Sequence, residues 1–294
     1  YLHRDLLTIP SLDIHQQRDV NKGHDYNQQR DMQPLYALSG GTPLTALLAE
    51  ELGVKREDIL STDLMLCPRQ KPVYLGPEQE LFQAPRIDDL GCAYAALEGL
   101  LTAGGSRRFG QIYCLFDNEE VGSGTRQGAL STFLPDVLAR IGEVLGLSAQ
   151  DARRALANSL LLSADNGHAV HPNFPEKADP ANRVYPNGGV VVKVAASQKY
   201  TTTGLTAGLF QAICQKAEVP VQVFANRADE PGGSPLGHLL GRQVSIPMVV
   251  IGMAQLAMHA AVETAGSRDP EYLAMACAAL YQAEFTLTAD GIYR

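Results

Sequence analysis

Cysteine is scarce in this chain of 294 residues: five occur, at Cys67, Cys92, Cys114, Cys214 and Cys277, and no two form a CxxC pair. An odd number, wide spacing and mostly apolar surroundings exclude a disulfide framework and a thiolate metal knuckle. They read as core thiols of a reducing compartment, so a cytoplasmic protein is expected. Positive charge is also in short supply. Lys and Arg total 24 against 32 Asp and Glu, a net charge of −8. With no basic stripe to neutralise phosphates, a nucleic-acid partner is not expected. No apolar run approaches the roughly 18–20 residues that span a bilayer. The richest, SIPMVVIGMAQLAMHAAV, is broken by Pro247, Gly252, Gln255 and His259, so no membrane partner is expected either. Nothing in the sequence resembles a signal peptide, an internal repeat or a disordered tract. The chain opens at Tyr1 directly into YLHRDLLTIPSLDIH, like the middle of a longer sequence, and a preceding N-terminal portion is expected.

What is present is a globular balance, 45% hydrophobic and 19% charged. Residues 1–76 are mixed in texture: HQQRDVNKGHDYNQQRDMQP has no clean period, PLTALLAEELGV predicts an amphipathic helix, and DILSTDLMLC is strand-like. Beyond PVYLGPEQELFQAP, apolar strands alternate with helical stretches, the pattern of an α/β domain with a largely parallel sheet. The expected strands are QIYCLF, NSLLLSA, GGVVVKVAA, VPVQVFANR and SIPMVVIG. The expected helices are DLGCAYAALEGLL, ending at Gly104-Gly105, then PDVLARIGEVLG and DPEYLAMACAALYQAEF, with Asp269 as cap and Pro270 at the first position.

The polar residues fall at the ends of those elements. Glu119 and Glu120 follow QIYCLF, Asp165 follows SLLLSA, His259 lies just beyond PMVVIG, and Asp88 heads a helix. Open α/β sheets place their sites outside the strand ends. Carboxylates converging there without Lys or Arg in the same loops call for a cation. Each piece alone has a plainer reading. Asp88 or Asp89 is a helix cap, Asp165-Asn166 a turn, Glu119-Glu120 a solvated turn, and His259 a core histidine. His168 and His171, in HAVH, suit local turn chemistry as well as metal. Carboxylates with imidazole suit zinc, cobalt or manganese. Of two adjacent glutamates, one can ligate while its neighbour points elsewhere and takes a proton from an activated water. Two other motifs mislead. GSGTRQG has GxGxxxG spacing and follows a Glu-Glu pair that would repel a pyrophosphate. GGSPLG breaks the GxSxG elbow and reads as a tight turn lining a pocket.

PRIDDL, DNEEVGS, SADNGHAVHPNFPEK, VVKVAASQKY, VQVFANRADEPGGSPLG and IGMAQLAMH occur in the order found in the aspartyl aminopeptidase family of dinuclear zinc exopeptidases, and IPSLDIHQQRDVNKG resembles an earlier segment of that family. The resemblance runs over nearly the whole chain. It implies a zinc-exopeptidase-like α/β fold with a mixed, largely parallel sheet flanked by helices. It also implies a smaller β-rich dimerisation domain, whose C-terminal part is 1–76, with 77–294 as the catalytic domain lacking its N-terminal segment. It implies two Zn2+ per site, with Co2+ or Mn2+ as substitutes, and peptides bearing N-terminal Asp or Glu as substrates. A homo-oligomer, the tetrahedral dodecamer, is implied as well. Position by position, Asp88 matches the aspartate bridging two metals, Glu119 the general base and Glu120 a ligand. Asp165 matches a ligand to the other metal, and His259 a ligand sharing the metal of Glu120. Lys193 matches a lysine that receives the acidic side chain, His168 a histidine near the substrate, and His15 a histidine that reaches a neighbouring subunit's site. The family's HxDSP motif, which carries a further ligand, does not occur here. A non-catalytic metal- or peptide-binding paralogue or fragment is therefore the alternative. Asp89 stands where the family has Asn, and Ala195, Ser197 and Lys199 replace two Asn and an Arg. These changes add charge beside the metals and are expected to loosen the pocket.

Overall fold

The computed structural model describes residues 2–105, 108–230, 232–233, 236–288 and 291–293. It divides into two units, Tyr1–Arg69 and Gln70–Arg294. The first has little regular structure. Its polar segment forms a 3-10 turn at Val20–Lys22 and one helical turn, α1 (Gln28–Asp31), and an isolated bridge pairs Thr8 with Leu35. Helix α2 (Leu44–Leu52) forms as its period predicts, burying Leu47, Leu48 and Ala49, and stops at Gly53 in the left-handed conformation. The strand-like DILSTDLMLC is not a strand. No described segment pairs with it, and an unpaired ladder gives no reason to stay extended.

The second unit is mixed α/β. Its four-stranded sheet comprises β3 (Leu161–Ala164), β7 (Met248–Gly252), β5 (Val190–Lys193) and β6 (Val221–Phe224), in the order β3-β7-β5-β6. Pairing is parallel between β3 and β7 and between β5 and β6, and antiparallel between β5 and β7. The five-stranded sheet runs β1 (Val73–Leu75), β2 (Leu81–Ala84), β9 (Glu263–Gly266), β8 (Ala254–Leu256) and β4 (Gly167–His168). Within it only β4 and β8 pair in parallel. Helices α3 (Ile87–Ala103), α4 (Phe133–Val144), α5 (Ala149–Ala157), α6 (Gly204–Lys216), α7 (Leu236–Leu240) and α8 (Asp269–Gln282) complete the unit, with a terminal hairpin of β10 (Thr286–Thr288) and β11 (Gly291–Tyr293).

Strand β5 is buried on both faces, which is why VVVK reads as a continuous apolar run rather than an alternating one. Val190 and Val192 pack with Phe210 of α6, Cys92 and Ala95 of α3, and Leu273 and Cys277 of α8. Val191 faces the other way, toward Tyr200, Phe224 and Val250. Among the described residues no helix is long and apolar enough to cross a membrane.

Two further expectations need correction. QIYCLF is not a strand: residues 110–116 pair with no described strand, and Ile112 and Leu115 are 46% and 62% exposed. Side chains hold it instead, Tyr113 donating from its hydroxyl to Ala93 O and Gln111 Nε2 donating to Tyr281 O. Asp269 lies inside α8 rather than capping it, which puts Pro270 at the second position instead of the first. Its buried carboxylate accepts from Asn187 N at 2.8 Å, fixing the loop before β5.

The end of β7 is set by close backbone approach. A Cβ on Gly252 would collide with the carbonyl of Asp165, the residue just beyond β3. Gly252→Ala is expected to cost roughly 1–3 kcal/mol in denaturant unfolding, because neither strand can yield without breaking its ladder. A loss below about 0.5 kcal/mol, typical of a surface change, would contradict that contact.

Candidate metal centre

Four segments bring acidic and imidazole side chains to one place. Asp88 enters from the start of α3, where Asp88 and Asp89 depart from helical geometry and the peptide between them is cis. Glu119 and Glu120 come from a loop folded on itself by Gly122 N to Glu119 O, Ser123 N to Asn118 O and Asp117 N to Gln127 O hydrogen bonds. This loop leads to no immediate helix, which disposes of the dinucleotide reading of GSGTRQG. Asp165 follows β3, and His259 sits between β8 and β9 with its backbone in the left-handed region at φ 66°.

Asp88 is the meeting point. Its Oδ2 lies 3.2 Å from His259 Nε2, which is 3.0 Å from Glu120 Oε2. Ligand-type atoms of Asp88, Glu120 and His259 lie within 4.8 Å of one another, and so do those of Asp88, Asp89 and Asp165. The two groups thus share Asp88, a carboxylate only 8% exposed. Asp89, read in the sequence as a candidate cap and as extra charge, joins the Asp165 group.

The electrostatics are adverse without a counter-ion. Burial, then the negative charges of Asp165 and Glu120, push Asp88 up to about 7. The same causes in the same order raise Glu119 to about 7, and burial holds Asp89 well above the usual carboxylate range. Asp88 Oδ1 and Asp89 Oδ1 are buried with no hydrogen-bond partner, an uncommon condition for native acceptors. Carboxylates around one imidazole, with orphaned oxygens turned inward, fit a zinc-type cation.

Lys193, at the end of β5 and 4% exposed, donates from Nζ to Asp165 Oδ2 at 2.6 Å. Burial opposes its charge, but Asp165 prevails and its pKa stays raised. Adjacent register explains the pair: β3 and β5 flank β7, with Ala164 opposite Ile251 and Lys193 opposite Val250. His168 lies on β4, its ring centroid 6.3 Å from that of Phe224. Burial and the positive Lys193 lower its pKa. His171 does not join a metal group: Nδ1 accepts from Asn173 N in a local turn. His15 is exposed in the first unit, where its backbone N–H donates to Asp13 Oδ1. Ser234 and Pro235 of GGSPLG lie outside the described residues. A separate groove of about 670 Å3 between α3 and α8, lined by Tyr74, Tyr94, Glu98 and Met275 among others, holds none of the site residues.

Two organising residues escape a reading by motif. Asn166 is buried, donating to Ile87 O and Gln255 Oε1 and accepting from Met253 N, which ties the start of α3 to the link between β7 and β8. Its signal was only an Asn beside a candidate ligand, which a turn explains equally well. Glu263, 2% exposed, accepts from Asp88 N and His259 N. An acidic residue four positions after the candidate histidine was its one trace.

The model of the family described as aminopeptidase I zinc metalloprotease (M18) matches residues 2–283. A "Probable M18 family aminopeptidase 2" of Clostridium novyi (strain NT) is 42% identical over 276 residues, covering 92% of this chain and 64% of the relative. The chain is also similar to a chain in the cryo-EM structure of the Ape4 and Nbr1 complex, with TM-score 0.88, 32% identity, and coverage of 96% of this chain and 58% of that one. A third likeness is to the S. cerevisiae mApe1 dodecamer, with TM-score 0.75, 25% identity, and 94% and 62% coverage. The chain thus spans less than two thirds of the length of these relatives.

Asp88 and Glu119 keep their protons up to about pH 7 in the cation-free fold, whereas unfolded carboxyls titrate near roughly 4. Between those values the folded state binds more protons than the unfolded one, so its stability falls as pH rises. Zinc requires the ionised carboxylates and offsets that loss. Thermal unfolding is expected to show a zinc-free midpoint that drops between about pH 5 and about pH 7, and a zinc-induced rise that is larger at the higher pH. A zinc effect independent of pH would contradict the proton-holding cluster.

Proposed function

Since the chain belongs to the aminopeptidase I zinc metalloprotease (M18) family, we propose that it carries the catalytic centre of a zinc aminopeptidase, releasing single N-terminal residues with a preference for Asp and Glu. The observation that carries this reading is the pair of ligand groups sharing Asp88. Asp88, Glu120 and His259 would hold one zinc, and Asp88 with Asp165 the other. When bound, zinc supplies Lewis-acid polarisation of the scissile carbonyl and lowers the pKa of water.

The chain's own residues do the rest. Glu119 is no party to either ligand group, and its carboxyl is raised to about 7. It is thus suited to take a proton on a carboxylate oxygen from the attacking water and return it to the nitrogen of the leaving amine. Lys193 is buried beside Asp165. Its ammonium has three donors, so it can keep Asp165 oriented while another N–H receives the carboxylate of an acidic substrate side chain. Once Asp165 also faces a cation, the charge of Lys193 is less fully spent on it. His168, kept neutral by burial and by Lys193, offers a hydrogen bond on the same side. His15 belongs to the first unit, and in this reading it serves the site of a neighbouring copy. The dodecamer of the yeast relative supports a homo-oligomer here.

Glu119→Gln is expected to retain zinc while losing turnover by about 10²–10⁴-fold, the usual contribution of a general base. Retained turnover would overturn its role. Lys193→Ala is expected to reduce hydrolysis of Asp- and Glu-linked reporters far more than of a Leu-linked one; equal loss on all three would remove the acidic preference from this lysine.

A further inference from the structure

The two side chains that meet at Asp88 and His259 are delivered by separate segments, and the register of one strand pair sets where those segments go. Strands β2 and β9 run antiparallel with Ala84 opposite Glu263. Asp88 lies four residues beyond Ala84 and His259 four residues before Glu263, so both leave the same end of the pair. Neither stretch is regular there. His259 is held at φ 66° and Asp88 at φ −85°, ψ 112° inside a nominal helix. A left-handed backbone at a residue other than glycine persists only where the surroundings over-determine it.

Glu263 supplies that determination. One oxygen, Oε2, accepts from the backbone N–H of Asp88 at 2.8 Å, and the other, Oε1, from that of His259 at 2.7 Å. Both bonds are charge-assisted and withdrawn from water, the class that is stronger than neutral pairs. Glu263 belongs to neither ligand group among the described residues, so its carboxylate is committed to the two amides. We propose that Glu263 is a positioning residue, a clamp that fixes the separation of Asp88 and His259 by holding their backbones, and so sets the affinity of the site they share. The clamp rests on the metal reading for its consequence, though not for its geometry.

The geometry makes isosteric change informative. Gln at 263 would turn an NH2 toward one of two N–H donors, losing that bond, and Asp is one methylene too short to reach both. Residues that orient metal ligands typically change affinity by about 10–100-fold when altered. Zinc titration of the full chain, with cobalt(II) absorption as a report on ligand geometry, is expected to show Glu263→Gln and Glu263→Asp weakened by about that factor. Their cobalt spectra should also be altered, while zinc-free melting falls only by the few degrees that one unpaired buried N–H costs. A folded variant with unchanged affinity and spectrum would overturn the proposal. Hydrogen exchange on the unaltered, zinc-free chain needs no substitution and reads the clamp directly. Slow exchange at the Asp88 and His259 amides supports it, and rapid exchange at both overturns it. If the unaltered chain binds no zinc while those amides are protected, the metal reading fails and the clamp stands.

Discussion

The structure turns on one buried carboxylate, Asp88, set among other carboxylates and faced by the imidazole of His259. Asp88 is nearly inaccessible, one of its oxygens has no hydrogen-bond partner, and Asp165 and Glu120 add negative potential. A fold tolerates such a residue only by keeping it protonated or by giving it a counter-ion. Either solution needs the surrounding segments to stay fixed, and much of the second unit can be read as meeting that need.

The rigidity comes from the core behind the site. Valines of β5 are buried on both faces, packed by α3, α6 and α8 on one side and by Tyr200, Phe224 and Val250 on the other. Because β7 lies between β3 and β5, the strand that builds the core also places Asp165 beside Lys193. Asn166 then links the end of β3 to the start of α3 and to β8. Buried polar groups of this kind add specificity when all are satisfied, and they are costly when one is not. Here Asp88 and Asp89 each leave one buried oxygen unsatisfied, where a cation would face them.

Much of the second unit was legible because local pattern and tertiary role agree. The valine run of β5, the apolar run of β7 and the long helix α3 ending at Gly104 all sit where period and punctuation place them. The placement of Asp88, Asp165 and His259 was legible too, since each lies beside an element end, whereas Glu120 joins them from a loop that follows no strand. QIYCLF failed because composition reports apolarity and not a hydrogen-bonding neighbour, and a strand needs both. Asp269 has the sequence of a cap, yet its carboxylate bonds a loop 82 residues earlier, a partner no local rule can supply. Glu263 and the Lys193–Asp165 pair were opaque for the same reason. Their partners are set by strand register across long separations, and the family resemblance could name Lys193 without telling that it meets Asp165.

The central claim is that Asp88 is common to two cation groups, and zinc content per chain tests it most directly. The measurement compares the unaltered, desalted protein with Asp88→Asn, using Glu120→Gln as the single-group reference. The account predicts that Asp88→Asn empties both positions, whereas Glu120→Gln weakens one and spares the group of Asp88, Asp89 and Asp165. Equal zinc in Asp88→Asn and in the unaltered chain would contradict it.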